Sequence, residues 1–231
     1  MDNSFPLQNS SLVNILTLRY DPSLKPNLPI KTSNDFEIND DIPDTEFIEK
    51  TICENIEQNL EKFTGEKISI ALSGGIDSAL ALSLIRKVKP DIEIEAISIK
   101  FADSVDETTA ASKIAHEFNA NHSILYLENY LSELPKAISM IKLPFWDLHW
   151  YYVVKKAKTF SNILISGDGG DELFSGYTFR YEKFLSLTSE NSTPLEKVKA
   201  YLECHERDRV PDQEYIFTKK SNFSWNSIYK I

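Results

Sequence analysis

Two short runs hold six of the seven glycines in this chain of 231 residues. The first is residues 73–78, Ser-Gly-Gly-Ile-Asp-Ser, and the second is residues 166–177, Ser-Gly-Asp-Gly-Gly-Asp-Glu-Leu-Phe-Ser-Gly-Tyr. Glycine costs backbone entropy wherever it is placed, and roughly 3% is low against a usual ~7%. Both runs also carry carboxylates. The pattern predicts two places where the backbone approaches a ligand closely.

The first run has the composition of an anion-binding loop. Gly74 and Gly75 follow a predicted strand and precede a predicted helix, so successive N–H groups can converge on an anion beside the positive end of the helix. Ser73 and Ser78 add hydroxyl donors. Asp77 suits Mg²⁺ bridging to phosphate oxygens, and the run is not a Walker A loop because it lacks the lysine. The alternative is a tight turn in which Asp77 only caps the helix.

The second run is the more acidic of the two. Asp168, Asp171 and Glu172 lie beside three glycines, directly after a predicted strand. Asp171 is the expected second Mg²⁺ ligand, facing Asp77 from a neighbouring strand. The alternative is a solvated acidic turn, which is disfavoured by the strand just before it and by Leu173 and Phe174 just after it.

Strands and helices alternate along the rest of the chain. Predicted strands cover residues 67–72, 94–99, 123–127 and 162–166, and predicted helices cover residues 48–63 with an Asp44 cap, 78–88, 106–119, 130–142, 147–160, 171–187 and 194–207. This order predicts an α/β fold, a parallel sheet with helices on both faces that binds ligands beyond the carboxyl ends of its strands. Both glycine runs begin at such ends.

Composition limits the classes of partner. A net charge of −10 argues against a broad nucleic-acid surface, which requires excess Lys and Arg, but it does not exclude a nucleotide. No apolar run approaches the ~20 residues that cross a bilayer, and the first residues do not resemble a signal peptide. Cys53 and Cys204 form no metal-binding spacing. We therefore expect a cytoplasmic protein with no membrane or nucleic-acid partner, and a homo-oligomer stays open.

Proline placement divides the chain into three parts. Residues 1–43 hold five of the ten prolines and no glycine, which predicts an extended N-terminal arm. Residues 44–187 contain the predicted sheet and both glycine runs. Residues 188–231 are predicted to be a helical and irregular C-terminal segment.

The two runs together carry a family resemblance. Residues 73–78 match the Ser-Gly-Gly-x-Asp-Ser loop of the ATP pyrophosphatases, and residues 166–177 resemble a more specific run of the synthetase domain of asparagine synthetases. Residues 103–106, Asp-Ser-Val-Asp, look like the family's Asp-Ser-Pro-Asp stretch with valine replacing proline. The resemblance covers about residues 45–185 and implies an adenine nucleotide alpha-hydrolase-like fold.

What the resemblance implies is ATP cleavage between the α- and β-phosphates, adenylation of a carboxylate, and attack by ammonia to give an amide, AMP and pyrophosphate. The residues implied to hold pyrophosphate and Mg²⁺ are Ser73, Gly74, Gly75, Asp77 and Ser78, with Asp171 as the other metal ligand. The residues implied to line the rest of the nucleotide site are Leu72, Ile99, Ser166 and Gly167. Asp168 stands where the family commonly has a glutamate tied to formation of the acyl-adenylate.

Two departures from the family bear on partners. Position 2 is Asp and not the cysteine of the family's fused glutaminase domain, so we expect no such domain, and we expect ammonia to be free or to come from a separate glutaminase. The family's synthetase domain also runs much farther past the second glycine run. We therefore expect a fragment, a second polypeptide that completes the site, or lost catalysis.

Several alternatives stay open. A β-lactam synthetase or a peptide-cyclising relative would share both runs and differ in the acceptor pocket, and a non-catalytic nucleotide-binding subunit is an alternative of another class. NAD synthetases share the first run, but the second run counts against them. Residues 146–152, which are mostly aromatic, either line the acceptor pocket or pack the start of a helix.

Overall fold

The computed structural model describes residues 13–14, 44–62, 67–101, 104–141 and 147–206. Its strands are β1 Lys67–Ala71, β2 Glu93–Phe101, β3 Asn121–Leu127 and β4 Leu164–Ile165. Its helices are α1 Thr45–Glu61, α2 Ile76–Val88, α3 Thr108–Glu117, α4 Leu134–Ile141, α5 Leu148–Ala157, α6 Gly170–Phe174, α7 Thr178–Leu187 and α8 Pro194–Cys204. A 3-10 helix, Tyr130–Glu133, precedes α4.

The four strands form one parallel sheet in the order β3-β2-β1-β4. The chain moves outward from β1 to β3 on one side and then returns to add β4 on the other side of β1. The order of the strands therefore reverses between β1 and β4. In open α/β sheets such a reversal leaves a crevice beyond the carboxyl ends of the two strands, where ligands bind.

Helices cover both faces of this sheet. On one face, Ile68 and Ile70 of β1 are fully buried beside Leu82 and Ile85 of α2, together with small residues of α3. On the other face, Ile97 packs with α5. Side chains alternate between the faces of a strand, so neighbouring residues of β1 and β2 contribute to different cores. The predicted fold class is confirmed.

Local signals explain where the elements begin. The Asp44 carboxylate accepts the N–H of Phe47 at 3.0 Å, which is the cap predicted for α1. The predicted arm over residues 1–43 lies outside the described residues, apart from residues 13–14, which are helical.

One predicted helix is wrong. Residues 171–187 form two helices, α6 and α7, rather than one. Ser175 has a φ of +58°, in the left-handed region that a right-handed helix cannot include. The remaining predicted helices and strands are present with shifted ends.

The described chain divides into two compact units. One spans Asp40–Phe174 and holds the sheet, and the residues described on either side belong to the other. In the second unit α8 begins with a capping box, in which the Thr193 hydroxyl accepts the Glu196 N–H and the Glu196 carboxylate accepts the Thr193 N–H. None of the described helices is long and apolar enough to cross a membrane.

Candidate active site

The loop after β1 is held by its own two serines. The Ser73 N–H donates to the Ser78 hydroxyl at 3.2 Å, and the Gly75 N–H donates to the Ser73 hydroxyl at 3.1 Å. The two hydroxyl oxygens are 3.0 Å apart. The serines predicted to donate to phosphate therefore also fold the loop that presents the backbone.

Helix α2 starts at the end of this loop without a side-chain cap. Gly75 occupies the N-cap position and Asp77 lies in the first turn, so the alternative interpretation of Asp77 as the helix cap is wrong. The first N–H groups of a helix have no partner within the helix, and the helix dipole favours negative charge beside them. This end of α2 can receive an anion.

The second glycine run lies directly on the first. A Cβ built on Gly167 would be 2.6 Å from the Ser78 nitrogen and 2.7 Å from the Asp77 carbonyl carbon. A Cβ built on Gly170 would be 2.8 Å from the carboxylate carbon of Asp77. Real Cβ atoms do not approach other heavy atoms so closely. At Gly167 the close atoms belong to the backbone, so glycine is required there, whereas at Gly170 a larger residue would have to displace the Asp77 side chain.

A cavity of about 410 Å³ opens where the two runs meet. Eight of the predicted site residues line it: Leu72, Ser73, Asp77, Ser78, Ile99, Ser166, Gly167 and Asp168. The described lining does not include the other three. Gly74 packs against α3, where a Cβ built on it would meet Ala110 at 3.1 Å, while Gly75 caps α2 and Asp171 follows Gly170 in the first turn of α6.

The walls of the cavity come from α3 and α5. Glu107, Thr108 and Ala111 line it from α3 and the residue before it, and His149 and Trp150 line it from α5. The α3 residues were missed by sequence reasoning. Their place in the chain could have indicated them, because α3 follows the carboxyl end of β2 and starts beside the glycine loop.

The first turn of α3 is fixed by Asp106. Its carboxylate accepts the Thr108 hydroxyl at 2.6 Å and the Thr108 N–H at 3.0 Å. The hydroxyl bond, followed by the backbone bond, holds the pKa of the Asp106 carboxyl below its ordinary value. Asp103, predicted beside it, lies outside the described residues.

The start of α5 is anchored to the sheet side of the cavity by Tyr130. The His149 N–H donates to the Tyr130 hydroxyl at 3.1 Å, and the Tyr130 ring meets Phe101 edge-to-face at 4.9 Å. Partial burial raises the pKa of the Tyr130 hydroxyl, so it stays a neutral donor and acceptor at physiological pH. The two alternatives given for the aromatic residues at the start of α5 therefore both hold: they pack the start of the helix, and His149 and Trp150 also line the cavity.

The charge of the cavity decides which ions it suits. Asp77, Glu107 and Asp168 line it, and its described lining contains no Lys or Arg. A triphosphate placed among carboxylates requires a cation between them. Within the described ranges no three His, Cys, Asp or Glu side chains are grouped to hold a metal. Mg²⁺ fits this arrangement, since it takes one or two protein carboxylates and completes its shell with water and phosphate oxygens.

The chain is similar to several known proteins. It is 32% identical over 139 residues to asparagine synthetase [glutamine-hydrolyzing] 1 of Bacillus subtilis, covering 57% of this chain and 20% of that protein. It is 26% identical over 131 residues to asparagine synthetase [glutamine-hydrolyzing] of Gallus gallus, covering 49% of this chain and 22% of that protein. The chain thus spans about a fifth of the length of these curated relatives.

Among solved structures, the chain is similar to a glutamine-dependent NAD⁺ synthetase from Acinetobacter baumannii in complex with ADP. The TM-score is 0.46 at 17% identity, over 62% of this chain and 29% of that chain. An NH3-dependent NAD synthetase from Campylobacter jejuni gives a TM-score of 0.43 at 18% identity, over 74% of this chain and 90% of that chain.

The family model for asparagine synthase matches residues 61–225. This range includes both glycine runs, all four strands and the cavity. The match confirms the resemblance to this family that the two glycine runs predict. The chain belongs to the asparagine synthase family.

Proposed function

We propose that this chain is an ATP-dependent ligase unit that adenylates a carboxylate and then forms an amide with ammonia. The observation that carries the proposal is the contact of Gly167 and Gly170 with Asp77 and Ser78, because it joins the two runs at one cavity. Family membership supports ATP as the nucleotide. A cavity of about 410 Å³ lies within the usual size range of small-molecule sites.

The proposed reaction has two steps. A carboxylate oxygen attacks the α-phosphorus of ATP, the bond from that phosphorus to the bridging oxygen breaks, and pyrophosphate leaves. Ammonia then attacks the acyl carbon, AMP leaves with the electron pair of the carbon–oxygen bond, and the new amide releases a proton to solvent. We propose the side chain of aspartate as the acceptor, because the relatives are named asparagine synthetases. A related amide- or β-lactam-forming reaction would share the adenylation step and differ in the acceptor and in the amine that attacks it.

The loop after β1 is the proposed phosphate site. Ser73, Gly74, Gly75 and Ser78 would hold the pyrophosphate portion through backbone N–H and hydroxyl groups, beside the uncapped start of α2. The adenosine portion would contact Leu72 and Ile99, with Ser166 and Gly167 lining the rest of the nucleotide site. These four residues lie in the cavity wall.

Asp77 and Asp171 are the proposed Mg²⁺ ligands. The bound ion would neutralise phosphate charge and polarise the α-phosphate toward attack. Support comes from the carboxylate of Asp77 in the cavity and from Gly170, which brings the first turn of α6 against that carboxylate. Asp171 is the next residue of that turn.

Asp168 is proposed to act in formation of the acyl-adenylate. It lines the cavity, and its N–H donates to the Ser166 hydroxyl at 3.4 Å within the first residues of the second run. Its side chain is one methylene shorter than the glutamate common in the family. We propose that it positions the acceptor.

Ammonia is proposed to come from solution, from a separate glutaminase or through a second polypeptide that completes the site. We also propose a cytoplasmic location, and a homo-oligomer is a further proposal. Each of these rests on the family and on composition.

A pyrophosphate-release assay tests the proposed function. The full chain is incubated with ATP, Mg²⁺, aspartate and an ammonium salt, and each component is omitted in turn. We expect release that depends on Mg²⁺ and on aspartate. If the chain binds ATP but releases no pyrophosphate even in the complete mixture, the ligase hypothesis is contradicted and a non-catalytic nucleotide-binding subunit is favoured.

A further inference from the structure

A chain of hydrogen bonds runs from α3 across the sheet to the glycine loop. The Ser112 hydroxyl is 2.8 Å from Nδ1 of His122, and Nε2 of His122 is 2.8 Å from the Ser98 hydroxyl. The Ser98 hydroxyl donates to the Leu72 carbonyl at 2.6 Å. Leu72 joins β1 to the loop, so the chain of bonds ends at the entrance of the proposed phosphate site.

Strand register explains why these side chains meet. His122 of β3 is paired with Ala96 of β2, two residues before Ser98. Residues two apart in a strand point to the same face, so His122 and Ser98 are diagonal neighbours under α3. Ser98 is only 4% exposed, and its hydroxyl needs partners within the protein.

Counting protons fixes the direction of the bonds. The Ser98 hydroxyl has one proton, and that proton is given to Leu72, so Ser98 accepts from Nε2–H of His122. Neutral His122 then has a bare Nδ1, which accepts from Ser112. The opposite tautomer would accept the Ser98 proton and withdraw it from the Leu72 carbonyl.

The Leu72 carbonyl and the Ser73 N–H belong to one planar peptide unit and point in opposite directions. A bond that fixes the carbonyl therefore fixes the N–H. That N–H donates to the Ser78 hydroxyl at 3.2 Å, inside the loop. The direction of the first loop amide thus depends on Ser98, and the proton on Ser98 depends on His122.

We propose that His122, acting through Ser98, is a positioning residue that orients the Leu72–Ser73 peptide for the phosphate-binding loop. The link to phosphate rests on the proposed function, whereas the orientation of the loop does not. In this role His122 contacts neither substrate nor metal. It keeps the loop in one orientation before the nucleotide arrives, which reduces the ordering that binding has to supply.

The first test needs no nucleotide. Nitrogen NMR of the full chain should give the Nε2–H tautomer for neutral His122. His122→Leu and Ser98→Ala should each shift the backbone amide resonances of residues 73–78, and the double variant should shift them no farther than Ser98→Ala alone. An Nδ1–H tautomer, unchanged loop amides, or shifts that add in the double variant would overturn the proposal.

The second test measures the dissociation constant of Mg²⁺-ATP. His122→Leu should weaken binding about fivefold, by the net loss of one hydrogen bond. His122→Gln, whose amide can still donate to Ser98, should return the constant to within about twofold of the natural chain. Ser123→Ala is the matched control, because the adjacent Ser123 donates to Glu95 and does not line the cavity.

The two tests separate the proposals. Loop shifts in the first test with no ATP binding by the natural chain would contradict the proposed function and leave the positioning role standing. ATP binding that His122→Leu does not weaken would overturn the positioning role and leave the proposed function standing. If His122→Leu does not fold, the first test carries the comparison: Ser98→Ala should shift the loop amides and His122→Gln should leave them near their natural positions. ATP binding by Ser98→Ala is not used for this purpose, because Ser98 also lines the cavity.

Discussion

The Cα of Gly170 faces the Asp77 carboxylate so closely that an added Cβ would lie 2.8 Å from its carbon. These residues are separated by most of the sheet domain in sequence, and β1 and β4 bring them together as neighbouring strands. This contact explains the glycine at position 170. The backbone of one run forms a wall for the carboxylate of the other.

Gly170→Ala is expected to displace the carboxylate of Asp77. The atoms that the new methyl group meets belong to a side chain that can rotate, so the fold should survive. A misplaced metal ligand should lower pyrophosphate release about 10- to 100-fold. Gly169→Ala is the control. A Cβ on Gly169 would meet no atom, but Gly169 has a φ of +95°, which strains any residue other than glycine. Compared with Gly170→Ala, this variant should therefore lose more thermal stability and less activity. Full activity of Gly170→Ala would contradict the assigned contact.

Gly167→Ala should lower the stability of the fold, unlike Gly170→Ala. Its new methyl group meets backbone atoms of Asp77 and Ser78, which cannot rotate away. We expect the free energy of unfolding to fall by about 1–3 kcal/mol, as for other overpacked sites. Urea denaturation measures it, and an unchanged midpoint would show that the two runs are farther apart than described.

Asp77→Asn keeps the shape of the side chain and removes its charge. Because no Lys or Arg is present in the described cavity lining, the phosphates depend on the cation. Pyrophosphate release should fall about 100-fold or more, equivalent to about 2.7 kcal/mol of the barrier. Chelation of Mg²⁺ by EDTA should abolish release in the natural chain. Release that persists in EDTA would contradict the metal assignment.

Stability should fall at mildly acid pH because of His122. Burial lowers the pKa of this imidazole, partly opposed by the Glu95 charge, so the unfolded chain gains a proton at a higher pH than the folded chain. The stabilisation is present above the unfolded pKa of about 6.5 and is lost as pH falls from there toward the folded pKa. Urea midpoints between pH 7 and pH 5 measure it. His122→Gln should flatten this decline, and an identical decline in both proteins would exclude His122 as its source.

The glycine loop after β1 was predictable from sequence because its pattern is local. Gly74, Gly75 and Asp77 are adjacent in the chain, and the apolar run before them places them at a strand end. The alternation of strands and helices predicted a parallel sheet, while the neighbouring position of β1 and β4 was predicted from the two acidic glycine runs and is confirmed by their pairing.

Other features were not predictable because they depend on tertiary geometry. The bond from His122 to Ser98 arises from strand register, which no local pattern encodes. The break between α6 and α7 depends on one residue, Ser175, that adopts a positive φ. Gly176, the next residue, could have indicated that break, but the sequence analysis interpreted the glycines of this run as positions of close approach to a ligand.

The identity of the phosphorus products tests the central claim most directly. Phosphorus NMR of the full chain with ATP, Mg²⁺, aspartate and ammonium distinguishes cleavage between the α- and β-phosphates from cleavage at the γ-phosphate. We predict equal amounts of AMP and pyrophosphate, with both lost in Asp77→Asn. Formation of ADP and inorganic phosphate, or equal product from Asp77→Asn, would contradict a single adenylating site formed by the two glycine runs.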